Sequence, residues 1–274
     1  MRLGVFWHLL AVSSLVLLGS ACGSNGSDGS DDRDGPPPNF EFVQLSDIHI
    51  GKSLLQEQEN LHQAVSQINQ MELGFVLLTG DLTNSGKVEE YAALKSVLSE
   101  LAVPYYCVPG DNDVLDGEGD LERYQDELGP DYFSFAYQGY RFLGLNNGVE
   151  TSLDPEQRQW LEQELQKGEA AIAFGHKALV YRTGEPLGNA ESLLRLFDTY
   201  DVFLYLNGDE HESEEIGFHG TQHVWCDNLS YFQSGVETYN LYTVYSSRVD
   251  LSHVHWDRSQ ELIRSFPIEG TGEP

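Results

Sequence analysis

The chain has 274 residues, with 15 lysines and arginines against 44 aspartates and glutamates, a formal net charge of −29. Nucleic-acid affinity depends on clustered basic residues that neutralise phosphates, so this charge excludes a free-standing nucleic-acid-binding protein. A composition of 40% hydrophobic and 11% aromatic residues can fill a core, which excludes a wholly disordered chain.

Residues 1–21 are typical of a lipoprotein signal peptide. Arg2 supplies a positive start, the segment from Val5 to Leu18 is mostly apolar, and small residues stand directly before Cys22. The apolar segment is shorter than the roughly 20 residues that span a membrane. We therefore expect a lipid anchor at Cys22 that attaches the protein to the membrane of a bacterial cell envelope, at the periplasmic face or the cell surface. A plain secretory signal is the alternative.

Residues 22–38 are predicted to be a flexible acidic tether. After Cys22 this segment contains only Gly, Ser, Asn, Asp, Arg and Pro, so it has no apolar side chain to bury. The remainder, residues 39–274, is expected to form one domain. Its two cysteines, Cys107 and Cys226, are candidates either for one disulfide or for buried free thiols.

From Phe40 onward, strand and helix patterns alternate. Strands are predicted at Phe42–Leu45, Phe75–Thr79, Tyr105–Val108, Ala171–Phe174, Val202–Leu206 and Val249–His255. Helices are predicted around Leu61–Ile68, Leu94–Leu101, Asp154–Gly168 and Glu191–Thr199. After His211 the pattern favours strands and turns. The chain is therefore predicted to be an α/β domain with a β-rich end.

Five polar clusters each follow a predicted strand directly. They are Asp47-Ile48-His49, Gly80-Asp81, Gly110-Asp111-Asn112-Asp113, Gly175-His176 and Gly208-Asp209-Glu210-His211. The carboxyl ends of strands in α/β sheets line the ligand crevice, so these clusters should converge on one site. A single Gly-Asp pair is usually only a turn or a helix cap. Five clusters, three of which contain histidine, indicate a centre for divalent metals.

These motifs, in this order, resemble those of the calcineurin-like metallophosphoesterase family, and most closely its bacterial cyclic-nucleotide-phosphodiesterase-like branch. The resemblance extends from about Phe42 to about His211. It implies an α/β fold of the metallophosphoesterase type, a β-sandwich flanked by helices in four αββα layers. It also implies two divalent metal ions at the ends of the strands and a phosphate ester as the substrate.

The resemblance also assigns a role to each matching residue. The implied metal ligands are Asp47, His49, Asp81, Asp111, His176, Asp209 and His211. Among them Asp81 would bridge the two ions. Asn112 and Asp113 stand at the catalytic positions of the third motif.

Three positions depart from the family pattern. Asp111 replaces an Asn ligand and Asp209 replaces a His ligand, which makes the second site oxygen-rich and favours Mn, Fe or Mg over Zn. Asn112 replaces the His beside the substrate, and an amide cannot serve as a proton donor. A nearby histidine, His219 or His223, is a candidate substitute.

The expected function is therefore metal-dependent hydrolysis of a small phosphodiester or phosphomonoester in the cell envelope, with altered or reduced activity. The alternative is a non-catalytic envelope binding protein that retains the fold and a metal.

Overall fold

The computed structural model describes residues 37–53, 55–114, 121–148, 151–230 and 237–268. The predicted signal peptide and most of the predicted tether lie outside the described residues. Within these ranges, no helix has the length and apolar character needed to cross a membrane.

Twelve strands and five α-helices are found in the described ranges. The strands are β1 (Phe40–Leu45), β2 (Phe75–Thr79), β3 (Tyr105–Val108), β4 (Phe133–Tyr137), β5 (Tyr140–Gly144), β6 (Ala170–Phe174), β7 (Leu204–Asn207), β8 (Glu214–Phe218), β9 (Thr221–Trp225), β10 (Glu237–Val244), β11 (Arg248–His255) and β12 (Gln260–Pro267). The helices are α1 (Gln56–Ile68), α2 (Val88–Leu98), α3 (Leu121–Leu128), α4 (Pro155–Leu165) and α5 (Glu191–Thr199), with a short 3₁₀ helix at Asn112–Val114.

The strands form two mixed six-stranded sheets. The first has the order β12-β11-β10-β1-β2-β3, in which β1, β2 and β3 are parallel and β10 runs antiparallel to β1. The second has the order β4-β5-β6-β7-β9-β8, in which β5, β6, β7 and β9 are parallel. Parallel neighbours require crossover connections, and helices supply several of them.

An aromatic core lies between the two sheets. Phe42 and Phe75 of the first sheet stack with ring centroids 5.1 Å apart, and Phe75 meets Phe142 of the second sheet edge-on at 4.9 Å. Alternate residues of β2 point the other way, because side chains in a strand alternate between its faces. Thus Val76 and Leu78 pack in the cluster that contains residues of α1 and α2.

The outer face of the second sheet is covered in the same way. Ala171 and Ala173 of β6 share a buried cluster with Leu161 of α4 and Leu194 of α5. The four layers are therefore helices, sheet, sheet and helices, which confirms the predicted fold class. Cys107 and Cys226 are both buried, and no disulfide joins them in the described chain.

Candidate metal centre

All seven predicted metal ligands follow the carboxyl ends of parallel strands. Three of these strands, β1, β2 and β3, belong to the first sheet, and β6 and β7 belong to the second. Asp47, His49 and His211 bring ligand atoms within 4.8 Å of one another. The same holds for Asp47, Asp81 and His176, and for Asp111, His176 and Asp209. Because these groups share members, the structure places the seven residues in one continuous site.

The first cluster is centred on Asp47, whose carboxylate is fully buried. His211 Nε2 lies 3.1 Å from Asp47 Oδ1, and His49 Nε2 lies 3.9 Å from the same oxygen. The two Nε2 atoms of His49 and His211 are 3.4 Å apart. Two imidazoles and one carboxylate thus converge on one point, as first-site ligands must.

The second cluster is centred on the buried imidazole of His176. Its Nε2 lies 3.3 Å from Asp81 Oδ1, 3.3 Å from Asp111 Oδ1 and 3.6 Å from Asp209 Oδ1. The other oxygen of Asp81, Oδ2, lies 3.6 Å from His49 Nε2. Asp81 therefore presents one oxygen to each cluster, which is the arrangement of a bridging carboxylate.

The backbone at these positions is strained. Of the nine non-glycine residues with positive φ in the described chain, five are predicted ligands, namely Asp47, His49, Asp81, Asp209 and His211. Left-handed backbone costs about 1–2 kcal/mol for such residues and is often found at functional sites. Hydrogen bonds hold it here, because Asp47 N donates to Gly80 O at 3.1 Å and His49 N donates to Asp81 O at 2.8 Å.

The carboxylates of the site shift the pKa of His176. Burial alone would lower the pKa of His176, but the contact with Asp111 and the charges of Asp81, Asp47 and Asp209 outweigh it and raise this pKa to about 10. The contact with His176 in turn lowers the pKa of Asp111 to about 2. Burial raises the pKa of Asp81. Closely spaced acidic and basic groups in the site thus shift one another's pKa.

The buried polar atoms of the site fit a divalent ion. In the described chain, Asp47 Oδ1 and His176 Nε2 are buried without an aligned hydrogen-bond partner. Nδ1 of His176 lies 2.9 Å from the carbonyl oxygen of Thr79, which can only accept a hydrogen bond. Nδ1 therefore carries a proton, and Nε2 is the nitrogen available to a metal.

Lys177 was not predicted as a site residue, but the structure places its ammonium in the second cluster. Its Nζ donates to Asp209 Oδ1 at 2.9 Å and lies 3.4 Å from Asp111 Oδ1. Asn147 fixes this turn, because its Oδ1 accepts hydrogen bonds from the backbone N–H groups of His176 and Lys177. The only signal in the sequence is its position directly after His176.

Asn112 faces the bridging carboxylate. Its side-chain Nδ2 donates to Asp81 Oδ2 at 2.5 Å, and its backbone N donates to Asp81 Oδ1 at 2.9 Å. Neither bond supplies a proton to a substrate. Both fix the orientation in which Asp81 contacts the two clusters.

Asp113, the second predicted catalytic position, lies buried in the 3₁₀ helix after β3, and its catalytic role stays a prediction. Its carboxylate is buried and accepts hydrogen bonds from the backbone of Leu82, Thr83 and Gly110 and from the Thr83 hydroxyl. Burial and the charge of Asp81 raise the pKa of Asp113 to about 6. Asp113 therefore joins the loops after β2 and β3 through these hydrogen bonds.

The two candidate substitute histidines do not follow the strand ends that carry the predicted ligands. His223 is buried within β9, with its ring centroid 5.5 Å from that of Tyr205. His219 lies in the exposed turn after β8, 4.0 Å from Asp198.

The calcineurin-like phosphoesterase family model matches residues 40–213. The chain belongs to this family of phosphate-ester hydrolases, as its motifs predicted.

The names of two similar proteins are consistent with this family. A protein of Arcobacter nitrofigilis named "Probable glycerophosphodiester phosphodiesterase GpdQ" is 30% identical over 141 residues, which are 46% of this chain and 51% of that protein. The chain thus spans about half the length of this relative. A protein of Vesicomyosocius okutanii named "Probable cyclic nucleotide phosphodiesterase" is 24% identical over 239 residues, 80% of this chain and 99% of the relative.

The solved structures agree on the fold. A dimetal phosphatase from Danio rerio has a TM-score of 0.63 at 15% identity, covering 84% of this chain and 99% of that chain. The clustered ligand atoms and the family match support divalent metals as the cofactors.

Proposed function

We propose that this protein is a metal-dependent phosphoesterase that hydrolyses small phosphodiesters or phosphomonoesters. The observation that carries the proposal is the position of Asp81, with Oδ2 3.6 Å from His49 and Oδ1 3.3 Å from His176. A carboxylate placed between two ligand clusters suits a pair of ions on one phosphoryl group. The names of the relatives add support for a diester substrate.

The residues of the chain would act mainly by positioning. Bound divalent ions would polarise the phosphoryl oxygens and make water a stronger nucleophile at neutral pH. Asp47, His49 and His211 would hold one ion, and Asp111, His176 and Asp209 the other, with Asp81 shared. The oxygen-rich second set favours Mn²⁺, Fe or Mg²⁺ over Zn²⁺.

Altered activity is part of the proposal. Asn112 donates both of its hydrogen bonds to Asp81 and cannot protonate a leaving group. General-acid catalysis contributes about 10²–10⁴-fold to such reactions. Esters with good leaving groups should therefore be hydrolysed much faster than alkyl esters.

Hydrolysis of an activated aryl phosphodiester in the presence of Mn²⁺ tests the function. The wild type should show metal-dependent turnover, and Asp81→Asn should lower it by about 10²-fold or more because the shared ligand loses its charge. Asp126→Asn, the same change on an exposed residue of α3, should leave the rate unchanged. No turnover above free Mn²⁺ in the wild type would favour the non-catalytic binding protein instead.

We also propose the predicted domain organisation, with a signal peptide at 1–21, a tether at 22–38 and a catalytic domain at 39–274. A lipid on Cys22 would hold the domain at the bacterial envelope. Detergent fractionation of the wild type and of Cys22→Ala tests it. The wild type should enter the detergent phase and the variant should not; two soluble proteins would contradict the anchor.

A further inference from the structure

The ammonium of Lys177 shares its carboxylate oxygens with His176. Lys177 Nζ is 2.9 Å from Asp209 Oδ1 and 3.4 Å from Asp111 Oδ1. His176 Nε2 is 3.6 Å and 3.3 Å from the same two oxygens. These are the ligand atoms that, with His176, form the second cluster. A metal ion in that cluster would therefore need the oxygens that the lysine holds.

Among the described residues, no lysine or arginine forms an ion pair with the Asp47 carboxylate of the first cluster. In the described part of the chain, the ion pairs of Asp47 are with His49 and His211. The side chain of Lys177 is only 20% exposed, so water screens its contacts less than those of a surface pair. The two clusters therefore differ in how freely a divalent ion can reach its carboxylates.

The charges of the second cluster explain the position of the lysine. Asp111 and Asp209 are two carboxylates next to each other and to Asp81, and like charges at this spacing repel. Without a metal, the ammonium of Lys177 offsets this repulsion by contacting both. The two carboxylates and the lysine therefore form one electrostatic unit.

We propose that Lys177 is an intrinsic competitor of the second metal ion. The proposal rests on the metal centre of the proposed function. When the second cluster has no ion, Lys177 neutralises Asp209 and Asp111, and an ion enters only when the ammonium leaves these oxygens. The first site fills at low metal concentration, and the second fills only at a higher concentration. Lys177 thus makes the number of bound ions sensitive to metal supply.

Titration of the metal-stripped full-length protein with Mn²⁺, with free Mn²⁺ read by electron paramagnetic resonance, tests this proposal without using activity. The wild type should bind one ion tightly and a second weakly. Lys177→Met should tighten the second site by about tenfold to a hundredfold, the scale of one charge-assisted contact, and should change the first site by less than about threefold.

Two further variants separate competition from other effects. Lys52→Met removes the same charge from an exposed position after β1 and should leave the second site weak. Lys177→Arg keeps a cation and should also leave it weak. Thermal unfolding shows whether each variant is folded. An unchanged or weaker second site in folded Lys177→Met overturns the proposal, as do two equal sites in the wild type. Wild type that binds no Mn²⁺ overturns the metal centre itself.

Discussion

Asn112 lies where a proton donor is expected, but its amide serves the metal centre instead. Its backbone and side-chain N–H groups hold both oxygens of Asp81. These hydrogen bonds therefore stabilise the ionised form of Asp81. Burial acts in the opposite direction, because it favours the protonated form and raises the pKa of Asp81. The consequence for catalysis depends on the leaving group.

The substitution Asn112→His should restore proton donation. We expect the rate on an alkyl phosphodiester to rise by about 10²-fold, because a basic alkoxide needs a proton as it leaves. The rate on an aryl diester should change by less than about threefold. Comparison of kcat/KM for the two esters is the measurement, with Asn112→Ala as the control that removes the bond to Asp81 without adding an acid. Equal gains on both esters would contradict this explanation.

The raised pKa of His176 predicts a pH-dependent metal affinity. With a pKa of about 10 against an ordinary value of 6.5, the imidazole stays protonated in the metal-free protein at neutral pH. This protonation stabilises the metal-free fold below about pH 6.5, and the contribution is lost as the pH rises towards 10. A metal must displace the proton, so affinity should increase with pH.

We expect the affinity of the second site for Mn²⁺ to rise about tenfold per pH unit between pH 7 and 9, because one proton is released for each ion bound there. Calorimetric titration in two buffers with different ionisation enthalpies measures that proton directly. A pH-independent affinity with no proton release would show that His176 is neutral before the ion binds.

At the scale of elements, local patterns predicted the parts of the fold that depend on neighbours in the sequence. Strands β2 and β3 and helix α5 have the predicted bounds. The hairpin of β4 and β5 was not predicted, although its first strand has aromatic residues at alternate positions, Phe133, Phe135 and Tyr137. Its turn, Gln138-Gly139, has φ of 49° and 87°, the conformation of a tight hairpin turn.

Long-range placement could not be predicted from periodicity. Strand β10 pairs with β1 across some two hundred residues, with Phe40 opposite Val244, and periodicity does not specify partners. The grouping of the seven candidate ligands could be predicted because they follow strand ends directly. The partners of Asp113 could not be predicted because they lie partly in the loop after another strand, β2, and the direction of the Lys177 side chain depends on carboxylates from two other strands.

The end of β7 packs against the end of β1 at Gly208. A Cβ atom on Gly208 would lie 1.8 Å from Ser46 Oγ and 2.4 Å from Asp47 Oδ2, so no side chain fits there. The N–H of the next residue, Asp209, donates to Asp47 Oδ2 at 3.2 Å. Glycine thus permits the close approach that brings ligands from the two sheets together.

Gly208→Ala should therefore destabilise the fold by about 1–3 kcal/mol, the usual cost of overpacking, and should weaken Mn²⁺ binding by displacing Asp47. Gly217→Ala is the matched control, because the nearest atom to its Cβ would lie 3.4 Å away. Chemical denaturation and Mn²⁺ titration measure the two effects. Normal metal affinity in Gly208→Ala would show that the two strand ends can separate without loss of the site.

For the whole molecule, the metal centre joins the two sheets. Asp47, Asp81 and Asp111 follow strands of the first sheet, whereas His176 and Asp209 follow strands of the second. The protein also carries a formal net charge of −29. Repulsion among the carboxylates of the site therefore adds to the repulsion between the other acidic groups of the protein. Divalent ions would reduce that repulsion at the point where the sheets meet.

Metal removal should consequently lower the thermal stability of the entire domain. A ligand at 100 times its Kd stabilises the native state by about 2.7 kcal/mol, which corresponds to roughly 5–10 °C in Tm for a domain of this size. Calorimetry in Mn²⁺ and in EDTA measures the difference. Asp81→Asn should lose most of it, because Asp81 contacts both clusters, whereas Asp126→Asn, with the same change in charge, should retain it. An equal shift in both variants would mean that Mn²⁺ stabilises the protein by screening its acidic surface. Stabilisation through the metal centre requires Asp81, whereas screening of the surface does not.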